Sequence, residues 1–220
     1  VLRQYDDDWV VIRSRRSNVP PGAVVTAIDG SSVEDAFQQT RPLLSGSNER
    51  ARRTIFSAYA AYFPQRFTLT FADGQSAAFD RTAPPDIPAH TPAEALSIQW
   101  LEPGVAYLRI ASFGERETER RAMAALSNAF DEADTIILDV RGNGGGTSPS
   151  RLGRQLLGSD WRNWRTSEPT HDQQAASRQP ASSARYLVLI DRGCASACED
   201  FVMPFSTSAQ AILIGETTMG

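Results

Sequence analysis

The stretch Asp191-Arg-Gly-Cys-Ala-Ser-Ala-Cys-Glu-Asp200 decides how the chain is read. It follows Tyr186-Leu-Val-Leu-Ile190, a continuous apolar run of the kind that forms a fully buried strand. Asp191, Arg192 and Gly193 turn the chain. Ala195–Phe205 then reads as a helix start, with Ser196 at or near the N-cap and Glu199 three residues on, the spacing of a capping box. A serine there faces unpaired N–H groups and the positive end of the helix dipole. That setting suits developing negative charge, and so a nucleophile in acyl transfer. A plain N-cap, worth about 1 kcal/mol, uses the same residues, so the catalytic reading needs support from the rest of the chain.

Cys194 and Cys198 stand on either side of Ser196. They read either as two small buried hydrophobes or, in an oxidising compartment, as a disulfide. Two thiols with no histidine nearby do not make a metal site, and no cofactor motif accompanies them.

A second stretch, Asp139-Val-Arg-Gly-Asn-Gly-Gly-Gly146, follows the apolar strand Thr135–Val140. Consecutive glycines permit positive φ and close backbone approach, and N–H groups in such a loop can hold an anion or an oxyanion. No Lys-Ser/Thr follows, so it is not a phosphate-binding Walker loop, and the dinucleotide pattern is also missing. Taken alone the loop is as well read as a turn; beside Ser196 it reads as an oxyanion hole.

Composition narrows the function classes. The 220 residues are 41% hydrophobic and 22% charged, ordinary for a globular protein of one large or two small domains. A net charge of −4 gives no footprint for nucleic acid, and no apolar run is long enough to span a membrane. All 22 basic residues are arginine. Arginine keeps its proton in proteins, so only His90 and His171 are conventional neutral bases. His90 lies in a proline-rich stretch and His171 in the polar run 159–184, read as a long loop.

Residues 1–85 read as a small β-rich domain. Asp7–Ile12 is a strand, Val19–Gly30 a turn, strand and turn, and Ser32–Phe37 a short capped helix. Asn48–Tyr62 carries apolar residues at helical spacing, and Phe67–Phe71 with Ala77–Phe79 forms a hairpin around Asp73-Gly74. Residues 86–97, rich in proline, are a linker. From 98 the pattern becomes strand–helix alternation: Val105–Ile110, helix Glu115–Asp131, Thr135–Val140, helix Ser150–Leu157, Tyr186–Ile190, the Ser196 helix and Ala211–Ile214. That order predicts an α/β domain with a largely parallel sheet over 98–220.

Val105–Phe113, Ile136–Gly146, Val188–Phe201 and Ile214-Gly-Glu-Thr-Thr-Met-Gly220 together resemble, in this order, the landmarks of the S41 peptidases, the tail-specific or C-terminal-processing proteases related to the tricorn core. Pro21–Val33 resembles the middle of a PDZ domain, although Ala23 stands where an Asp is usual and no carboxylate-binding loop precedes it. The resemblance implies a ClpP/crotonase-like core of ββα units after a small PDZ-like domain. It implies Ser196 as nucleophile, backbone N–H groups at Ala197 and at Gly145 or Gly146 as the oxyanion hole, and a protein or peptide substrate. It also implies export to the periplasm or beyond. The lysine base of the family falls at residue 221 and the Asp often found eight residues after the Glu is Thr207 here. The chain is therefore read as an incomplete catalytic domain whose base lies beyond Gly220, with His90 the alternative. Two rival readings stand beside this: an inactive peptidase-like binding or scaffold protein, and an acyl-CoA enzyme of the crotonase type, for which Ser196 has no use.

Overall fold

A computed structural model describes residues 1–58, 60–88, 94–114, 116–127, 129–158 and 182–220. His90, His171 and the run read as a long loop, up to residue 181, lie outside the described residues. The chain divides into two compact units, Val1–Thr91 and Pro92–Gly220.

The first unit is built on an antiparallel sheet of β1 (Leu2–Tyr5), β2 (Asp8–Val11), β3 (Val24–Ile28), β5 (Arg66–Phe71) and β6 (Ser76–Asp80) in that order, with β4 (Ser31–Ser32) paired to β3. Helix α1 (Val33–Thr40) starts where Ser32 Oγ accepts from the Asp35 N–H at 3.0 Å, a conventional cap. Helix α2 (Glu49–Ala58) is shorter than its apolar spacing implied; Ala60–Tyr62 forms a 3₁₀ turn ahead of Pro64, which disfavours a continuing helix. Phe56 meets both Trp9 and Phe37 edge to face at the centre of the core, and Phe63, Phe67 and Phe79 stack onward from it. Arg53 ties the two helices: it binds Glu34 through both guanidinium nitrogens and lies 4.3 Å from the centre of the Phe37 ring. β1 was not legible in the sequence, because Leu2-Arg-Gln-Tyr5 carries no apolar alternation.

The second unit has the sheet order β11-β10-β9-β8-β7. Its strands are β7 (Leu96–Glu102), β8 (Val105–Ile110), β9 (Thr135–Asp139), β10 (Arg185–Ile190) and β11 (Ala211–Gly215). β8 to β11 run parallel, and β7 joins β8 as an antiparallel edge. Parallel neighbours need crossovers; helices α3 (Arg116–Ser127), α4 (Ser150–Leu157) and α5 (Ala197–Val202) lie in those connections. The core takes alternate strand residues: Ala106, Leu108 and Ile110 of β8, Ile136 and Leu138 of β9, and Tyr186 and Val188 of β10, packed with Leu126, Leu152, Leu156, Phe201 and Phe205.

The second unit departs from the sequence expectation in three places. β10 is not buried on both faces, since Leu187 and Leu189 stay half-buried while Tyr186 and Val188 are sealed; an apolar run does not by itself distinguish one buried face from two. β7 begins at Leu96, two residues before the alternation was read. The helix read over Ala195–Phe205 is only α5, because Pro204 breaks the ladder and Met203–Thr207 continues as a 3₁₀ turn.

Candidate active site

The loops leaving the carboxyl ends of β8, β9, β10 and β11 converge, as ligand-binding loops do in parallel sheets. Each is tied to the next by named bonds. Asp191 Oδ1, just past β10, accepts from the Gly142 N–H at 2.6 Å and the Gly193 N–H at 2.9 Å. That carboxylate joins the turn after β9 to the turn after β10. Gly193 must be glycine, because a Cβ there would lie 2.8 Å from Gly142 Cα.

Asn143 is fully buried and does three things at once. Its Nδ2 donates to the Ile110 carbonyl at 3.1 Å, its Oδ1 accepts from the Gly145 N–H at 2.9 Å, and its own carbonyl accepts from the Ala195 N–H at 3.1 Å. One residue therefore sets the spacing: its side chain joins β8 to the glycine loop, and its backbone carbonyl joins that loop to the turn that carries Ser196. Beyond it, Phe113 N–H donates to the Gly145 carbonyl at 3.0 Å and Thr147 N–H to the Phe113 carbonyl at 2.7 Å, pairing the loop with the end of β8.

Ser196 is exposed and sits at the strand-to-helix turn as the N-cap of α5, in a capping box with Glu199. Its backbone has φ 53° and ψ −122°. A non-glycine residue in that region stores about 1–3 kcal/mol of strain and persists only where its surroundings enforce it. Four constraints are visible. Ala195 is bonded to Asn143, Cys194 C=O accepts from the Met219 N–H at 3.0 Å, Cys194 is disulfide-bonded to Cys198, and Glu199 Oε2 accepts from the Ser196 N–H at 3.0 Å. Glu199 Oε1 also accepts from the Gly220 N–H at 2.7 Å, so one carboxylate links the serine turn to the segment after β11. Arg192 holds that segment from the other side, donating to both Glu216 oxygens at 2.8 and 3.0 Å.

Gly145 has φ 98° and lies directly against this turn. A Cβ on it would fall 2.6 Å from the Ala195 oxygen, 2.9 Å from Ser196 Cβ and 3.0 Å from the Ala197 nitrogen. Ser196, Gly145 and Ala197 are thus brought together, and Gly146, the next residue of the loop, lies against Phe113 and Gly114. Their N–H groups differ, however. The Gly145 N–H is spent on Asn143, whereas among the described residues the Gly146 and Ala197 N–H groups meet no acceptor.

A charged cluster braces the start of the glycine loop. Asp139, 1% exposed, accepts from Tyr107 Oη at 2.6 Å and from Arg141 Nε and Nη2 at 2.9 and 2.7 Å, and Arg109 donates to the Asp139 and Arg141 carbonyls. Burial pushes the Asp139 carboxyl up, but the bonds from Arg141 and Tyr107 and the Arg109 charge outweigh it and hold it at about 2. A folded pKa below the ordinary 3.8 gives stabilisation that is complete above that value and lost as pH falls toward about 2. Denaturant titrations are expected to lose on the order of 2 kcal/mol over this acid window, and Asp139→Asn to lack that part of the loss.

Glu199→Ala is expected to lower stability by about 1–2 kcal/mol, since it leaves two backbone donors unmet. It is also expected to slow labelling of Ser196 by a serine-directed probe about tenfold, while Glu199→Gln, which keeps one acceptor, falls between. Thermal unfolding and labelling rates check both.

The sequence missed Asn143, Asp191 and the Glu216 clamp. Asn143 had a signal, an Asn flanked by glycines, which favours local side-chain to backbone bonds. Asp191 had one for its local bond to Gly193, an Asp two residues before a glycine in a turn, but none for its bond to Gly142, 49 positions away; Glu216 had none, because Arg192 is 24 positions away in an order only the fold supplies. Among the described residues no group of His, Cys, Asp and Glu could hold a metal ion.

A serine at a strained strand-to-helix turn on a parallel sheet is the arrangement that α/β hydrolytic enzymes use. The profile of peptidase family S41 matches residues 104–220, and the chain belongs to that family. It is similar to the chloroplastic C-terminal processing peptidase of Tetradesmus obliquus, with 26% identity over 222 residues, covering 94% of this chain and 45% of the relative. The chain thus spans less than half the length of that curated relative. Among solved structures it resembles the photosystem II D1 C-terminal processing protease (19% identity, all of this chain and 60% of that one, TM-score 0.52). It also resembles mature CPAF (14% identity, 99% and 67%, TM-score 0.63). These two likenesses speak to the shared mixed α/β fold.

Proposed function

We propose that this chain carries the nucleophile and oxyanion hole of a serine endopeptidase acting on protein or peptide substrates. The observation that carries the reading is Ser196, exposed, strained and packed against Gly145 at the mouth of the glycine loop. Ser196 Oγ attacks the scissile carbonyl. The carbonyl oxygen, becoming an oxyanion, takes hydrogen bonds from the Ala197 and Gly146 N–H groups. Gly146 is preferred to Gly145 because the Gly145 N–H already serves Asn143. Collapse of the tetrahedral intermediate expels the amine and leaves an acyl-serine, which water then hydrolyses.

The proton of Ser196 goes to a general base, for which the family uses a lysine and this chain offers His90, and the base returns it to the departing amine. The core is of the ClpP/crotonase type. The first unit is a PDZ-like positioning domain; its edge strand β1, the neighbouring α2 and a cavity of about 780 Å³ lined by Leu2, Phe67 and Phe79 support that reading. The disulfide favours an oxidising compartment, periplasmic or extracellular.

Thr207, at the place where the family often carries an Asp, favours one rival, a peptidase-like protein that binds without cutting. Release of peptides from casein by the full-length protein, lost on Ser196→Ala, supports the peptidase. Binding of casein with no release supports the rival.

A further inference from the structure

We propose that the Cys194–Cys198 disulfide is a positioning element for the nucleophile, so that the reactivity of Ser196 depends on the oxidised pair. This rests on the reading of Ser196 as nucleophile. The two cysteines are bonded with Cα atoms 5.4 Å apart, and Ser196 is the middle residue of the five-residue ring that the bond closes. Both cysteines are fully buried in the core of the second unit, while Ser196 at the crest of the ring is exposed. The ring is therefore anchored at its base and presents one residue outward. Its ends are fixed further by Cys194 N–H on the Asp191 carbonyl at 2.9 Å and by Cys198 N–H on the Ala195 carbonyl at 3.0 Å.

Within this ring three residues, Ala195 to Ala197, must arch from one cysteine to the other. Ser196 takes the positive φ that lets them do so. Released from the link, Cys194 and Cys198 still pack as small hydrophobes, but the arch can relax and Ser196 can return to ordinary φ. That rotation carries Oγ away from Gly145 and turns the Ala197 N–H. The brace acts on the serine and its oxyanion donor together, and leaves substrate contacts elsewhere untouched. The pair forms by exchange with a small-molecule disulfide such as oxidised glutathione: two protein thiols lose two protons and two electrons, and the oxidant is reduced to two thiols. Burial of both sulfurs then shields the bond from thiolate attack in the folded protein. The peptidase would thus be matured once, by oxidation during folding.

The test compares the wild type with Cys194→Ala/Cys198→Ala in two measurements. One is the second-order rate of labelling by a fluorophosphonate, measured on the full-length protein. The other is the HN–Hα coupling and the Cα and Cβ shifts of Ser196, which report its φ whether or not the protein turns over substrate. Circular dichroism and the unfolding midpoint establish that the variant is folded; should the alanine pair fail to fold, Cys194→Ser/Cys198→Ser, nearly equal in volume, replaces it. Expected are a labelling rate at least tenfold lower, a kcat loss of similar size with KM unchanged, and a shift of Ser196 toward negative φ. Unchanged φ and unchanged labelling in a folded variant overturn the proposal and leave the disulfide a stabiliser only. A shift in φ with no labelling in either protein supports the brace and removes the nucleophile reading instead.

Discussion

Ser196→Ala is expected to abolish peptide release from casein, with a fall in kcat of at least about 10⁴-fold, while binding and the unfolding midpoint barely change. The size follows from the role, because removing a serine nucleophile forfeits the covalent pathway and leaves only whatever the oxyanion donors and binding contribute. The fold should tolerate the change. Ser196 is exposed, and the constraints on its backbone come from Asn143, Cys194, Cys198, Met219 and Glu199, all of which remain. Alanine at φ 53° costs about what serine costs there. A variant that loses activity by unfolding would show a lowered midpoint, and that outcome would remove the catalytic interpretation.

Gly145→Ala should act almost as strongly by a different route. Its Cβ would fall 2.6 Å from the Ala195 oxygen and 2.9 Å from Ser196 Cβ, distances no real contact adopts, and φ 98° is costly for any residue with a Cβ. The atoms met are backbone or the serine itself, so nothing flexible can yield. Either the glycine loop or the serine turn has to move. A shift of a few tenths of an ångström separates Oγ from the Gly146 and Ala197 N–H groups, and loss of one oxyanion donor alone costs about 10²–10³ in kcat. The variant should therefore lose 100-fold or more in turnover with KM little altered, and about 2–4 kcal/mol in stability. Gly144→Ala is the control. A Cβ at Gly144 meets nothing within 4 Å, and that variant should behave like the wild type.

Much of this was legible from particular residues. The parallel sheet followed from apolar runs alternating with helical spacing, since that alternation leaves few ways to bury both element types. The pairing of Ser196 with the glycine loop was legible because each stretch sits just after a strand, and adjacent parallel strands end on the same side. What escaped was whatever depends on long-range geometry. Which glycine keeps a free N–H turned on Asn143, whose side chain had to be seen bridging from Ile110 to Gly145. The state of Cys194 and Cys198 turned on a turn tight enough to bring their Cα atoms to 5.4 Å, a spacing a regular helix gives only roughly. Helix ends slipped at Pro64 and Pro204, where local chemistry stopped what apolar periodicity would have continued.

Whether Ser196 is the nucleophile is decided by exposing the full-length protein to a fluorophosphonate and locating the adduct by mass spectrometry. A single phosphonyl group is expected on Ser196, absent from the Ser196→Ala variant and slowed at least 100-fold by Gly145→Ala. An adduct on another serine, or no adduct in a protein that nonetheless releases peptides from casein, would contradict it.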